Sequence, residues 1–162
     1  MPDLSPLAAS VGALLKERKE NISVADSSAG GLISASLLSV SGASAYYVGG
    51  VVSYTGVSRV ALLGISEEDM TKAGMRASTE PYAALIAKAV REKFGTTWGI
   101  SETGASGPTG NRYGDASGHA CFAVSGPVER TITLETGSTD REANMWAFAK
   151  AALDLLESCL KG

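Results

Sequence analysis

Asp26-Ser27-Ser28-Ala29-Gly30-Gly31 places two hydroxyls, a carboxylate and a run of backbone N–H groups between a short apolar stretch (residues 22–25) and a helical pattern (32–38). That order reads as strand, tight turn, helix. The first turn of a helix leaves N–H groups unpaired and carries positive partial charge, which suits an anion or the oxyanion of an acyl transfer. Ser27 is the candidate nucleophile and Ser28 its competitor. The same residues equally describe a capped helix whose small side chains allow close packing. Tyr54 could shuttle a proton beside a cation. Arg59 is such a cation, but it stays protonated and cannot itself be the base. Asp26 could orient a hydroxyl or cap the helix. Arg141, next to Asp140 at the start of the last helical pattern, could hold an anion or be a solvated surface charge. Tyr46 and Tyr47 could stack on an aromatic ligand or fill the core. His119, the single histidine, reads as a packed or surface residue.

These residues fall on three polar segments, 26–31, 54–59 and 103–110, each at the C-terminal end of an expected strand. In open α/β sheets ligands bind in the crevice at those ends, so the segments are expected to share a pocket. The third opens a glycine-rich loop, Thr103-Gly104-Ala105-Ser106-Gly107-Pro108-Thr109-Gly110, that runs on to Gly118. A connection of that length in a compact domain is often functional.

The elements that must carry the segments follow from patterning. Ser5-Pro6 reads as a cap followed by proline at the first helical position. Strands are expected at 22–25, 51–54, 98–101, 119–124 and 131–136, the last two as a hairpin turning at Gly126-Pro127. Helices are expected at about 30–39, from 57 to Gly64, from Ser66 to about Gly74 with Asp69 closing a capping box, from Ser78-Thr79-Glu80-Pro81 to Gly95, and from about Asp140 onward. Early helix–strand alternation with a late hairpin gives an α/β chain: a three-layer α/β/α sandwich with a mixed, mostly parallel sheet of five to six strands.

The chain has 162 residues, of which 44% are hydrophobic and 19% charged, and a net charge of −3. It is long enough for one domain with a substantial core. The charge argues against nucleic acid as the main partner. No secretory leader or membrane-spanning run is visible. The two cysteines, Cys121 and Cys159, lack metal-ligand spacing. The expectation is a cytoplasmic protein with reduced thiols.

Taken in order, five segments resemble the C-terminal domain family of CinA, the competence/damage-inducible protein. Residues 25–31 resemble "AESCTGG", 42–47 "GSSAxF", 50–54 "GxVTY", 103–108 "TGIAGP", and Asp140-Arg141 the "GDR" before the last helix. The resemblance implies a three-layer α/β/α fold and a stand-alone relative of nicotinamide-nucleotide amidohydrolase, which converts nicotinamide mononucleotide to nicotinate mononucleotide and ammonia. It assigns the nucleophile to Ser27 and the tyrosine to Tyr54. Arg59 stands where the family carries lysine, Val57 where it carries an acid, and Asp26, Ser28 and Ala29 where its first motif has glutamate, cysteine and threonine. On this reading Ser27, Tyr54 and Arg59 are catalytic. Ser28, Ala29, Gly30, Gly31, Tyr47, Thr103, Gly104, Ala105, Ser106, Gly107 and Arg141 bind substrate, with N–H groups of the turn holding the oxyanion and Arg141 the phosphate. No metal or organic cofactor is required. A non-catalytic nucleotide binder and an amidase for another amide are the alternatives. The expected partner is a small-molecule nucleotide, with neither nucleic acid nor membrane involved, and the chain is expected to form a homo-oligomer, most simply a dimer.

Overall fold

The computed structural model describes residues 2–162. Five strands, β1 (Ile22–Asp26), β2 (Tyr47–Val52), β3 (Trp98–Gly104), β4 (His119–Ser125) and β5 (Arg130–Glu135), form one sheet in the order β2-β1-β3-β4-β5. β1 is parallel to β2 and β3, whereas β3–β4 and β4–β5 are antiparallel. The sheet is therefore mixed, with its pairings divided evenly between the two kinds. Six helices cover both faces: α1 (Ser5–Arg18), α2 (Leu32–Leu38), α3 (Gly56–Leu63), α4 (Glu67–Lys72), α5 (Glu80–Phe94) and α6 (Arg141–Lys161).

Strand alternation assigns the two faces different side chains. Ile22 and Val24 of β1, Trp98 and Ile100 of β3, and Phe122 and Val124 of β4 join residues of α1, α2 and α6 in the main core. Phe122 meets Phe148 of α6 edge-on, with ring centroids 6.1 Å apart. The opposite face is lined by small or hydroxylated residues and accepts α5 at short range. Ala83 and Ala87 pack on Cys121 and Ala123. The hydroxyls of Ser23 and Ser101 donate to the carbonyls of Val90 (3.2 Å) and Ala83 (2.5 Å) of α5. α3 and α4 extend this layer through Leu63 and Met70, which pack with Tyr82, Ile86 and Val90.

The ends of the elements follow local chemistry, with corrections to the sequence reading. Ser5 is the first residue of α1 rather than its cap; Leu4 occupies that position, and the Asp3 carboxylate accepts the Ser5 N–H at 2.9 Å. The Ser66–Asp69 capping box forms as expected. α2 begins two residues later than patterning suggested, because Gly30 and Gly31 both adopt positive φ (67° and 94°), a conformation that glycine reaches without steric cost. β2 lies four residues earlier than expected at its start, which leaves Tyr54 beyond the strand, two residues before α3. β3 continues through Thr103 and Gly104, so the long loop starts only at Ala105. No helix among the described residues is long and apolar enough to cross a membrane.

Gly99 is the tightest contact between α5 and the sheet. A Cβ there would lie 2.3 Å from the Ala87 carbonyl oxygen and 2.8 Å from Arg91 Cβ. Because the obstruction is backbone, α5 would have to move. Gly99→Ala is expected to lower stability by about 1–3 kcal/mol, read as an earlier denaturant midpoint with little change in slope.

Candidate active site

The parallel pairing of β1 with β3 sets Ala25 opposite Ser101. One residue on, Asp26 and Glu102 become neighbours, and alternation turns both toward the α2 side of the sheet. Each is 1% exposed. Glu102 reaches under the turn after β1. Its carboxylate accepts the N–H groups of Ser27 (2.9 Å) and Ala29 (2.8 Å) and the hydroxyl of Ser28. Asp26 accepts the N–H groups of Ile33 and Ser34 in the first turn of α2, at 3.3 and 3.4 Å. Two buried carboxylates thus share the positive end of one short helix and its approach. Among the described residues neither has an ion-pair partner. Burial, and then the neighbouring charge of Glu102, push Asp26 up to about 7; burial raises Glu102 as well, against the hydrogen bonds it accepts.

Beyond the turn opens a cleft of about 730 Å³, bordered by Ser27, Ser53, Tyr54, Arg59, Glu67, Ser78, Tyr82, Thr103, Gly104, Asn111, Arg112 and Tyr113, among others. The three polar segments do converge, since each contributes to its wall. The Ser27 hydroxyl forms no hydrogen bond to another described residue, so it is free for a ligand. Thr103 accepts the Ser78 N–H at 3.1 Å through its hydroxyl oxygen, which leaves its own proton to donate. Ser78 is a buried non-glycine residue at φ 61°, a conformation that persists only where its surroundings impose it. Those surroundings include His119, whose Nε2 meets the Ser78 carbonyl at 2.8 Å while Nδ1 meets the Glu135 carboxylate. Both partners are acceptors, so both ring nitrogens must carry protons. Burial opposes that charge, but Glu135, the Ser78 carbonyl and Asp115 together raise the His119 pKa. His119 is therefore a packed residue that fixes the cleft wall.

Several expected site residues make other contacts or lie outside the cleft. Arg59 does not pair with Tyr54. Its Nε donates to the Ile65 carbonyl (3.1 Å) and its Nη2 to Glu67. The cation on Tyr54 is Arg141, whose Nη2 donates to the phenol oxygen at 3.1 Å while Nη1 holds the Gly107 carbonyl. Arg141 does not line the cleft, and neither do Ala105, Ser106 and Gly107, which are buried. Asn144 of α6 keeps that loop in place, donating to the carbonyls of Ser106 (2.8 Å) and Ser138 (2.9 Å). Tyr47 starts β2, at the end of the sheet away from the cleft, and donates to Ser34 Oγ at 2.8 Å; Tyr46 fills core and donates to the Leu37 carbonyl. Ser28, Ala29, Gly30 and Gly31 shape the turn but do not border the cleft. Of the N–H groups expected to hold an oxyanion, those of Ser28 to Gly30, Ala29 is engaged by Glu102 and Gly30 by the Ser27 carbonyl at 3.0 Å, while the Ser28 N–H forms no hydrogen bond to a described residue; the Ser27 N–H is also taken by Glu102.

Glu102, Asn144 and Arg112 went unremarked in the sequence, and Ser78 was read only as part of a helix start. Only Glu102 left a signal there, as a carboxylate inside an otherwise uncharged strand. The others needed contacts from distant segments.

The carboxylate pair predicts a pH signature. Asp26 titrates near 7 when folded and near 3.8 as an ordinary aspartate. Between those values the folded chain retains a proton that the unfolded chain loses. Its contribution to stability is thus complete below about pH 4 and is lost as pH rises toward 7, by up to roughly 4 kcal/mol. Asp26→Asn, which mimics the protonated acid, is expected to flatten that part of the profile in urea titrations at pH 4.5 and 7.5. An unchanged difference between the two pH values would show that Asp26 titrates normally.

The CinA C-terminal domain model matches residues 4–160. CinA-like proteins of Nostoc punctiforme and Trichormus variabilis are 39% and 36% identical to this chain over 80% and 93% of its length. The aligned stretch is only 30% and 36% of those proteins, so the chain spans about a third of the curated relatives it matches. A competence-damaged protein (CinA) superfamily structure from Klebsiella pneumoniae superposes with a TM-score of 0.90 at 23% identity, covering 99% of both chains. A structure from Agrobacterium tumefaciens described as competence/damage inducible protein CihA gives 0.87 at 24%, covering 100% of this chain and 98% of the other. At such identities the structural likeness speaks for the fold. With the family model matching nearly the whole sequence, the chain belongs to the CinA C-terminal domain family.

Proposed function

We propose that the cleft hydrolyses the carboxamide of a pyridine nucleotide, converting nicotinamide mononucleotide to nicotinate mononucleotide and ammonia. One observation carries this reading: the unengaged Ser27 hydroxyl shares a cleft with the Arg141-bound phenol of Tyr54 and the donor hydroxyl of Thr103. Ser27 Oγ attacks the amide carbon and its proton passes through Tyr54 to the departing nitrogen. The C–N bond breaks, ammonia leaves, and water cleaves the resulting ester to release the acid and regenerate the serine. Thr103 donates to the oxygen on which charge develops, taking the role first expected of the turn N–H groups. Arg141 holds the phenol in place through its hydrogen bond to the phenol oxygen.

A second reading, a nucleotide-binding protein without turnover, is favoured by two features of the turn. No described side chain accepts a hydrogen bond from the Ser27 hydroxyl, and Glu102 occupies the N–H groups of Ser27 and Ala29. Self-association belongs to the proposal too. Val48 and Val52 on the edge strand β2 and Val57 on α3 are 49%, 48% and 82% exposed, a surface that a second copy would cover. A cytoplasmic setting is consistent with two buried free thiols.

Ammonia release from nicotinamide mononucleotide separates the readings. Under the amidase reading Ser27→Ala lowers kcat by about 10³-fold or more. Thr103→Val lowers kcat by about 10- to 100-fold with a smaller change in KM. Nucleotide binding without ammonia would favour the binding protein, and near-normal turnover by Ser27→Ala would remove the serine mechanism.

A further inference from the structure

The cleft has a wall that the proposed chemistry does not use. On the α3–α4 side Arg59 is buried, and Arg112 reaches the same cleft from the loop that joins β3 to β4. Arg59 has one carboxylate partner, Glu67, whose side chain is 71% exposed. Arg112 forms no ion pair among the described residues; its Nη2 donates to the Tyr113 hydroxyl at 2.9 Å and its guanidinium lies 5.0 Å from that ring's centroid. Tyr113 is held from a second direction by Arg76, 4.8 Å from the centroid and itself fixed to Asp115 at 2.8 Å. Arg59, Glu67 and Arg112 all border the same cleft. Two guanidiniums against a single solvent-exposed carboxylate leave this wall net positive on a chain of net charge −3.

Building on the amidase reading, we infer that the wall formed by Arg59 and Arg112 is a phosphomonoester subsite, with the Glu67 carboxylate as its built-in competitor. Guanidinium forks suit phosphate oxygens, and Arg59 is presented from buried surroundings where a charged hydrogen bond is stronger than in water. Glu67 reaches Arg59 from a side chain that is 71% exposed, so its carboxylate returns to water when it yields Arg59 to a dianion. The Tyr113 hydroxyl, which accepts from Arg112, retains its own proton for a further phosphate oxygen. A phosphate here leaves Ser27, Tyr54 and Thr103 for the opposite, amide-bearing part of the ligand. It also replaces the expectation that Arg141 binds phosphate, because Arg141 is occupied by the Gly107 carbonyl and Tyr54.

The test is calorimetric titration with nicotinamide mononucleotide, its nucleoside, and adenosine monophosphate, a phosphomonoester with no carboxamide. The unmodified protein is expected to bind both nucleotides and to prefer nicotinamide mononucleotide over the nucleoside. Arg112→Ala, at an exposed position, should weaken both nucleotides by about tenfold and leave the nucleoside unchanged. Glu67→Gln should tighten both nucleotides by about three- to tenfold, a gain that a merely structural Glu67 would not produce. Equal losses for nucleotide and nucleoside in Arg112→Ala, no gain in Glu67→Gln, or failure of the unmodified protein to bind any phosphomonoester would each overturn the subsite. Ammonia release is measured in parallel and fails independently. Nucleotide binding with the expected variant pattern but no ammonia upholds the subsite and removes the amidase reading. Ammonia release with no phosphate preference does the reverse.

Discussion

The carboxylate of Glu102 holds the turn after β1, and the geometry of the cleft depends on that contact. A strand-to-helix turn presents several N–H groups in one direction and normally satisfies them with water, a cap or an anion. Here the neighbouring strand supplies the anion. Glu102 takes the Ser27 and Ala29 N–H groups and the Ser28 hydroxyl at once. Ser28 is thereby drawn inward and Ser27 is left at the cleft. The two serines, adjacent and chemically alike, are separated in role by a residue about seventy-five positions away.

That arrangement carries a cost that shapes the surroundings. Asp26 and Glu102 lie side by side without a cation; burial penalises the charge of each, and the neighbouring charge of Glu102 raises Asp26 further. The start of α2 offsets part of this by directing the Ile33 and Ser34 N–H groups at Asp26. The basic residues near the site are committed to other contacts: Arg141 to Tyr54 and Gly107, Arg59 to Glu67 and Ile65. The site is therefore divided by charge. Acids lie beneath the turn, within the protein, and the guanidiniums of Arg59 and Arg112 border the cleft on the α3–α4 side.

The small side chains on the α5 face serve the same geometry at longer range. With Ala83 and Ala87 against Cys121, Ala123 and Gly99, α5 lies close to the sheet. The segment leading into it therefore brings Ser78 against the end of β3. His119 and Thr103 then hold Ser78 by its carbonyl and its N–H. A left-handed serine at the cleft wall is a consequence of helix packing and two hydrogen bonds, and no local sequence preference demands it.

By itself the sequence determined the layers, most of the elements and the convergence of three polar segments on one cleft. Period-two and helical patterns, proline and glycine punctuation, and the Ser66–Asp69 box are local properties, and local physics sets them. The three polar segments converged as expected because parallel neighbours bring their C-terminal ends together whatever the loops contain. The motifs also placed the family correctly. Only the tertiary structure decided which side chains face the cleft. Whether a turn N–H is free depends on Glu102. Whether a cation supports Tyr54 depends on Arg141, eighty-seven positions further along, and not on the nearby Arg59. Tyr47 resembled a ligand-stacking residue until strand register put it at the far end of β2. Hydrogen bonds and ion pairs between distant segments are satisfied only after the sheet and its helices have packed, so nearest-neighbour patterns carry no record of them.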